Sequence, residues 1–224
     1  MTRGIKRRPL ARIFSKQFHC ALAILLFSSL FASSVGAADY KYPYRDPYLA
    51  TATSAILGNN DAAARDESKI LRVPGLPGRN KLPGLEGRGD VSLAFYRQNH
   101  AAPLLFILAG VGTSPYFGVG SYLAELFHRA GSHVVVLPSP MNWNFALAAS
   151  RSGAPGYAPQ DARDLYDVMQ KALTTLRERY DIKPTVIRFL GVSLGALEGA
   201  YLSVLDANDE KIGIDNYLLI NPPI

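Results

Sequence analysis

Thr185-Val186-Ile187-Arg188-Phe189-Leu190-Gly191-Val192-Ser193-Leu194-Gly195-Ala196 is the stretch on which the fold turns. Its first six residues are rich in β-branched and aromatic side chains and predict a strand, and helical periodicity begins at Ala196 and runs to Leu205. Between the two lies G-x-S-x-G. In a sharp strand-to-helix turn this pattern holds the serine in a strained backbone conformation and projects its hydroxyl from the sheet edge. Gly191 and Gly195 fall where side chains would collide with the neighbouring strand and helix. Ser193 also sits at a helix N-terminus, whose free N–H groups favour developing negative charge. By composition alone the bare pattern would turn up in roughly one chain in ten of this length, so the weight rests on its context. The competing reading is a glycine-rich helix start with Ser193 as its N-cap.

Working outward, strands and helices alternate. Lys69 to Val73 and Val91 to Arg97 predict two strands separated by a loop dense in Gly and Pro, Pro74 to Gly89. Pro103 to Ala109 is a continuous apolar run, as expected of a strand buried on both faces of a parallel sheet. A helix follows with Leu123, Leu126, Phe127 and Ala130 at i, i+3, i+4, i+7, stopped by Gly131, and then a strand at Val134 to Leu137. Pro138 to Pro159 predicts a long irregular segment. A second helix carries the stripe Leu165, Val168, Met169, Ala172, Leu173, Leu176, and Asn216 to Ile220 predicts a final strand. The expected class is α/β, with a mostly parallel central sheet and helices on both faces.

Acyl transfer passes through a tetrahedral intermediate whose negative oxygen needs two donors already aimed at it. One is the N–H of Leu194, immediately after the serine. The other is expected from the turn after the apolar strand, Ala109-Gly110-Val111-Gly112-Thr113-Ser114, with Val111 the first candidate and Gly112 the alternate. Trp143 and Phe145, in the segment leaving the same sheet edge, are candidates for a substrate wall, or else belong to an aromatic loop packed on its own domain.

With the Ser193 elbow, the Gly110-Val111 turn and this order of elements, the chain from about Val91 to Ile224 resembles the α/β-hydrolase superfamily, of the serine esterase and lipase type. Ala109 stands where many members have a histidine before the glycine. The resemblance implies a triad in the chain order Ser, Asp or Glu, His, with acid and histidine on loops after strands that follow the serine's helix. No histidine follows Ser193. His19, His100, His128 and His133 all precede it, and Asp206, Asp209, Glu210 and Asp215 are expected at the far end of its helix, on the wrong side of the sheet. Two readings stay open: the N-terminal part of a longer hydrolase, or a scaffold that binds without catalysing. Neither calls for a cofactor or a metal.

The 24 basic and 18 acidic residues give a formal charge of +6. Six of the basic ones (Arg3, Lys6, Arg7, Arg8, Arg12, Lys16) lie in the first 38 residues, which hold no acid, so the remaining 18 balance the 18 acids and the body is neutral. A nucleic-acid partner is therefore not expected. The basic start, the apolar run Ala21 to Phe31 and the small residues Ser33 to Ala38 read as an export signal, too short to span a bilayer and cleaved after Ala37 or Ala38. The expected location is periplasmic or secreted. The single cysteine, Cys20, falls inside that signal, which leaves the mature chain without disulfides or thiol chemistry. The expected organisation is a signal over residues 1–38, an extended arm over 39–68, and one hydrolase-like domain over 69–224 that acts on a small-molecule or lipid acyl substrate.

Overall fold

The structure, a computed structural model, describes residues 44–50, 68–79 and 88–223. The predicted signal, residues 1–38, lies outside the described residues. The chain divides into two compact units, Met1–Thr51 and Ala52–Ile224. In the first, the chain turns helical over residues 47–50, where an extended arm was expected. Asp46 is the cause: its Oδ1 accepts the N–H groups of Tyr48 and Leu49, and its carbonyl accepts that of Ala50.

The second unit is built on a six-stranded sheet in the order β1-β2-β4-β3-β5-β6. The strands are β1 (Ser68–Pro74), β2 (Asp90–Tyr96), β3 (Leu104–Leu108), β4 (His133–Leu137), β5 (Ile187–Val192) and β6 (Asn216–Ile220). Strand β2 runs antiparallel to both β1 and β4, and the other pairings are parallel. The helices are α1 (Val119–Arg129), α2 (Trp143–Ala148), α3 (Ala158–Tyr180) and α4 (Leu194–Asp209). Among the described residues no helix is long and apolar enough to cross a membrane. The mostly parallel α/β sheet expected from the sequence is the one observed.

Because β3 and β4 are covered on both faces, all five residues of each are buried, and their sequences show no alternation. One face packs Leu71, Phe95, Phe106 and Phe189 against Leu165, Met169 and Leu176 of α3 and Leu202 of α4. The other packs Ile107, Val136 and Leu190 against Ala124 of α1.

Two expectations about helices need correction. Of the expected stripe on α1, Leu123 and Phe127 pack against the sheet while Leu126 and Ala130 are exposed, and the most buried positions are Gly120, Ser121 and Ala124. The helix approaches so closely that a Cβ on Gly120 would lie 3.1 Å from Val136 Cγ1, so small residues take the contact. The segment Pro138 to Pro159 is not wholly irregular, since it contains α2, capped by Asn142, whose side chain accepts the Asn144 N–H. At β6 the sheet alternates: Tyr217 and Leu219 pack on the α3–α4 side, whereas Leu218 and Ile220 are exposed on the α1 side.

Candidate active site

Ser193 connects β5 directly to α4 at φ 55°, ψ −123°. A non-glycine residue in that region is strained by roughly 1–3 kcal/mol. The fold holds it there from both sides: the Ser193 N–H donates to Ile220 O of β6 at 2.9 Å, and its carbonyl accepts Ala196 N–H at 2.9 Å. The strain follows from how little space the turn has. A Cβ on Gly191 would stand 2.2 Å from Gly195 O, and one on Gly195 would stand 2.1 Å from Leu108 O. These are backbone atoms that cannot yield, so both positions require glycine.

Ser193 occupies the N-cap position of α4, yet its side chain makes no capping hydrogen bond, and its φ/ψ is not the extended conformation that caps adopt. The residue is exposed at the carboxyl edge of the sheet. As the first residue of α4, Leu194 has no intrahelical carbonyl for its N–H.

The turn after β3 faces the serine. A Cβ on Gly110 would lie 3.5 Å from Ser193 Cβ and 3.7 Å from its Oγ. The turn is braced by Thr113, whose Oγ1 donates to Gly110 O at 2.8 Å, and by Ser139 after β4. Ser139 donates its N–H to Thr113 O, and its buried Oγ accepts the N–H of Gly112 at 3.1 Å. The alternate donor, Gly112, therefore already spends its N–H inside the protein, while Val111 stands exposed at the tip. Sequence reading missed Ser139, a serine between two prolines whose partners lie 26 and 27 residues away.

The two aromatic wall candidates separate. Trp143 is 81% exposed, but Phe145 is fully buried in the core and cannot line a substrate cleft. Residues 143 and 145 of a helix point about 200° apart, so one faces solvent when the other faces the sheet.

The histidines are not brought to Ser193. His133 is in register with Leu104, which is in register with Ile187, so it sits level with the start of β5. Six residues of strand separate that level from Ser193, about 20 Å. Its Nδ1 accepts the Gln98 N–H at 3.0 Å, and burial, with Arg97 beside it, lowers its pKa. His128 sits in the last turn of α1 with Nε2 3.1 Å from Arg97 O, and His100 is exposed in the β2–β3 connection. His19 lies outside the described residues.

Among the acids expected at the far end of α4, Asp206 is a structural clamp. It accepts the Tyr166 hydroxyl and the N–H groups of Ile212, Gly213 and Ile214. Burial would raise its pKa, but these bonds, that from Ile214 first, outweigh burial and hold it below the usual range. Asp215 accepts the Ile187 N–H at the opposite end of β5 from the serine.

A buried acid that sequence reading did not single out is Glu198, five residues into α4. It is 1% exposed, and its Oε2 has no hydrogen-bond partner among the described residues. Burial, with the charge of Asp161 from α3 adding to it, pushes its pKa up to about 8. Asp161 is itself raised by burial, against a 2.6 Å bond from the Gly156 N–H.

No family model matches the chain, and no curated protein matches its sequence. Solved structures do. Brefeldin A esterase, described as a bacterial homologue of human hormone-sensitive lipase, aligns over 70% of this chain and 40% of its own, with TM-score 0.51 and 17% identity. Esterase Est22 aligns over 80% of this chain and 52% of its own, with TM-score 0.52 and 14% identity. The chain has the α/β-hydrolase fold, and it spans about half the length or less of these structures.

Proposed function

We propose that these residues form part of an exported serine hydrolase that cleaves an ester or related acyl bond through an acyl-enzyme on Ser193. The strained, exposed conformation of Ser193 between two obligatory glycines carries the reading. Ser193 Oγ attacks the acyl carbon and passes its proton to a histidine, while the carbonyl oxygen, now negative, is received by the N–H groups of Leu194 and Val111. The tetrahedral intermediate collapses, the alcohol leaves with that proton, and water releases the acid by the same steps in reverse. The histidine and its acid are supplied from outside these 224 residues. Support comes from the place of His133, level with the start of β5 and six strand residues from Ser193. It comes also from the esterases that share the fold.

That same lack of a histidine favours a second reading, an envelope protein that uses the fold to bind without catalysis. Reading the coding sequence past the codon for Ile224, then assaying p-nitrophenyl esters, separates the two. An in-frame acid and histidine, with hydrolysis that Ser193→Ala reduces at least about a thousandfold, supports the enzyme. A stop codon there and no hydrolysis support the binder.

Export rests on the basic start and small-residue site. Protein recovered from the envelope fraction is expected to begin at Ala38 or Asp39, and an intact Met1 or Thr2 would sink that reading.

A further inference from the structure

Strand β2 pairs with β4 only from Ala94 to Tyr96, so along Asp90 to Leu93, nearer the carboxyl edge, β4 offers no ladder partner. Asn144 of α2 takes its place: its Oδ1 accepts the Ser92 N–H at 2.7 Å and its Nδ2 donates to Asp90 O at 2.9 Å. The amide acts as a piece of strand and pins α2 to the sheet. Trp143, the neighbouring residue, is thereby held on a fixed backbone with its indole in solvent.

Trp143 presents its indole to solvent next to a concavity that carries charge. This cleft measures about 400 Å³, and Arg72, Arg88, Asp90 and Ser92 share its lining. Arg72 and Ser92 are register partners on adjacent strands. Neither arginine forms an ion pair among the described residues, and together they outweigh the one carboxylate. Strand β2 lies three strands from β5, about 14 Å across the sheet, so the cleft is not the space in front of Ser193.

We propose that this cleft is a binding site for a carboxylated sugar ring. The indole offers a flat apolar face for the C–H side of a pyranose and an N–H that can donate to a hydroxyl. The guanidinium groups supply fork-shaped donors that match a carboxylate, and Asp90 and Ser92 accept or share the ring hydroxyls.

The sequence holds one tryptophan, so its emission reports this cleft alone. The full protein titrated with a glucuronate oligosaccharide is expected to show a saturable change in Trp143 emission, unaltered by Ser193→Ala. Arg72→Gln combined with Arg88→Gln is expected to weaken it about tenfold, with an unchanged melting temperature showing that the fold is intact. Equilibrium dialysis of Trp143→Ala, which has no emission to follow, is expected to show at least the same loss. The assignment is overturned if a neutral glucose oligosaccharide binds as tightly, if benzoate binds and the glucuronate does not, or if neither emission nor dialysis detects the glucuronate.

Discussion

Glu198→Gln is the substitution whose consequence can be worked furthest from the structure. A buried carboxyl with one oxygen unpaired and a second acid nearby resists ionisation, and burial first, then Asp161, pushes the pKa of Glu198 from its ordinary 4.5 up to about 8. In the unfolded chain it ionises freely, so between those limits the unfolded state binds fewer protons than the folded one. The contribution of the neutral acid is complete below pH 4.5 and falls as pH rises toward 8. Each pH unit in that window removes about 1.4 kcal/mol, so about 3 kcal/mol is gone by pH 7 and about 5 kcal/mol by pH 8. Against a net stability of roughly 5–15 kcal/mol this is a large share.

Glutamine keeps the shape and cannot ionise, but its extra donor costs about 1 kcal/mol if unpaired. Urea unfolding of both proteins from pH 5 to 8.5 is expected to show curves that cross: the variant equal or slightly weaker at pH 5, and stronger by several kcal/mol at pH 8. Taking the difference cancels every titrating group that does not interact with Glu198, which leaves Asp161 as its coupled neighbour. Parallel curves across that range would refute the reasoning, because they would mean Glu198 ionises in the fold as easily as out of it.

Gly195→Ala puts a methyl 2.1 Å from Leu108 O, so α4 must move off β3. A loss of about 3 kcal/mol or failure to melt cooperatively is expected, and an unchanged melting temperature would contradict the packing. Asp206→Ala orphans the N–H groups of Ile212, Gly213 and Ile214, with an expected cost on the order of 3 kcal/mol in urea unfolding; a cost below about 1 kcal/mol would show that the loop does not depend on the clamp. The chain of these 224 residues is expected to self-associate through β6, the last strand of the sheet among the described residues, where Leu218 is 52% exposed. Leu218→Lys should shift it toward monomer in size-exclusion chromatography, and a wild-type monomer that melts cooperatively would overturn this.

What was legible in the sequence was local. The elbow is written in consecutive residues, because the strand, the two glycines and the helix that constrain Ser193 all lie within a dozen positions. The runs at β3 and β4 announce burial on both faces without reference to anything distant. The inward face of α1 was legible only in part: Leu123 and Phe127 pack as the periodicity expects, but how closely a helix approaches a sheet is set by Val136 and its neighbours, and close approach selects Gly120 and Ala124 over Leu126. Trp143 and Phe145 are alike in composition, and only the register of a six-residue helix pinned by Asn144 sends one out and the other in. Ser139 and Asp206 act through backbone groups brought to them by the fold. Nothing in their own surroundings marks them.

The claim on which the rest depends is that Ser193 is a nucleophile whose base lies outside these residues. A fluorophosphonate probe followed by peptide mass spectrometry tests it, applied both to the 224-residue chain and to the polypeptide translated past Ile224. The longer protein is expected to carry the adduct on the peptide containing Ser193, to lose it in Ser193→Ala, and the 224-residue chain to react poorly or not at all. Strong labelling of the shorter chain would show that it holds its own base, and an unlabelled Ser193 in the longer one would show that the serine is no nucleophile.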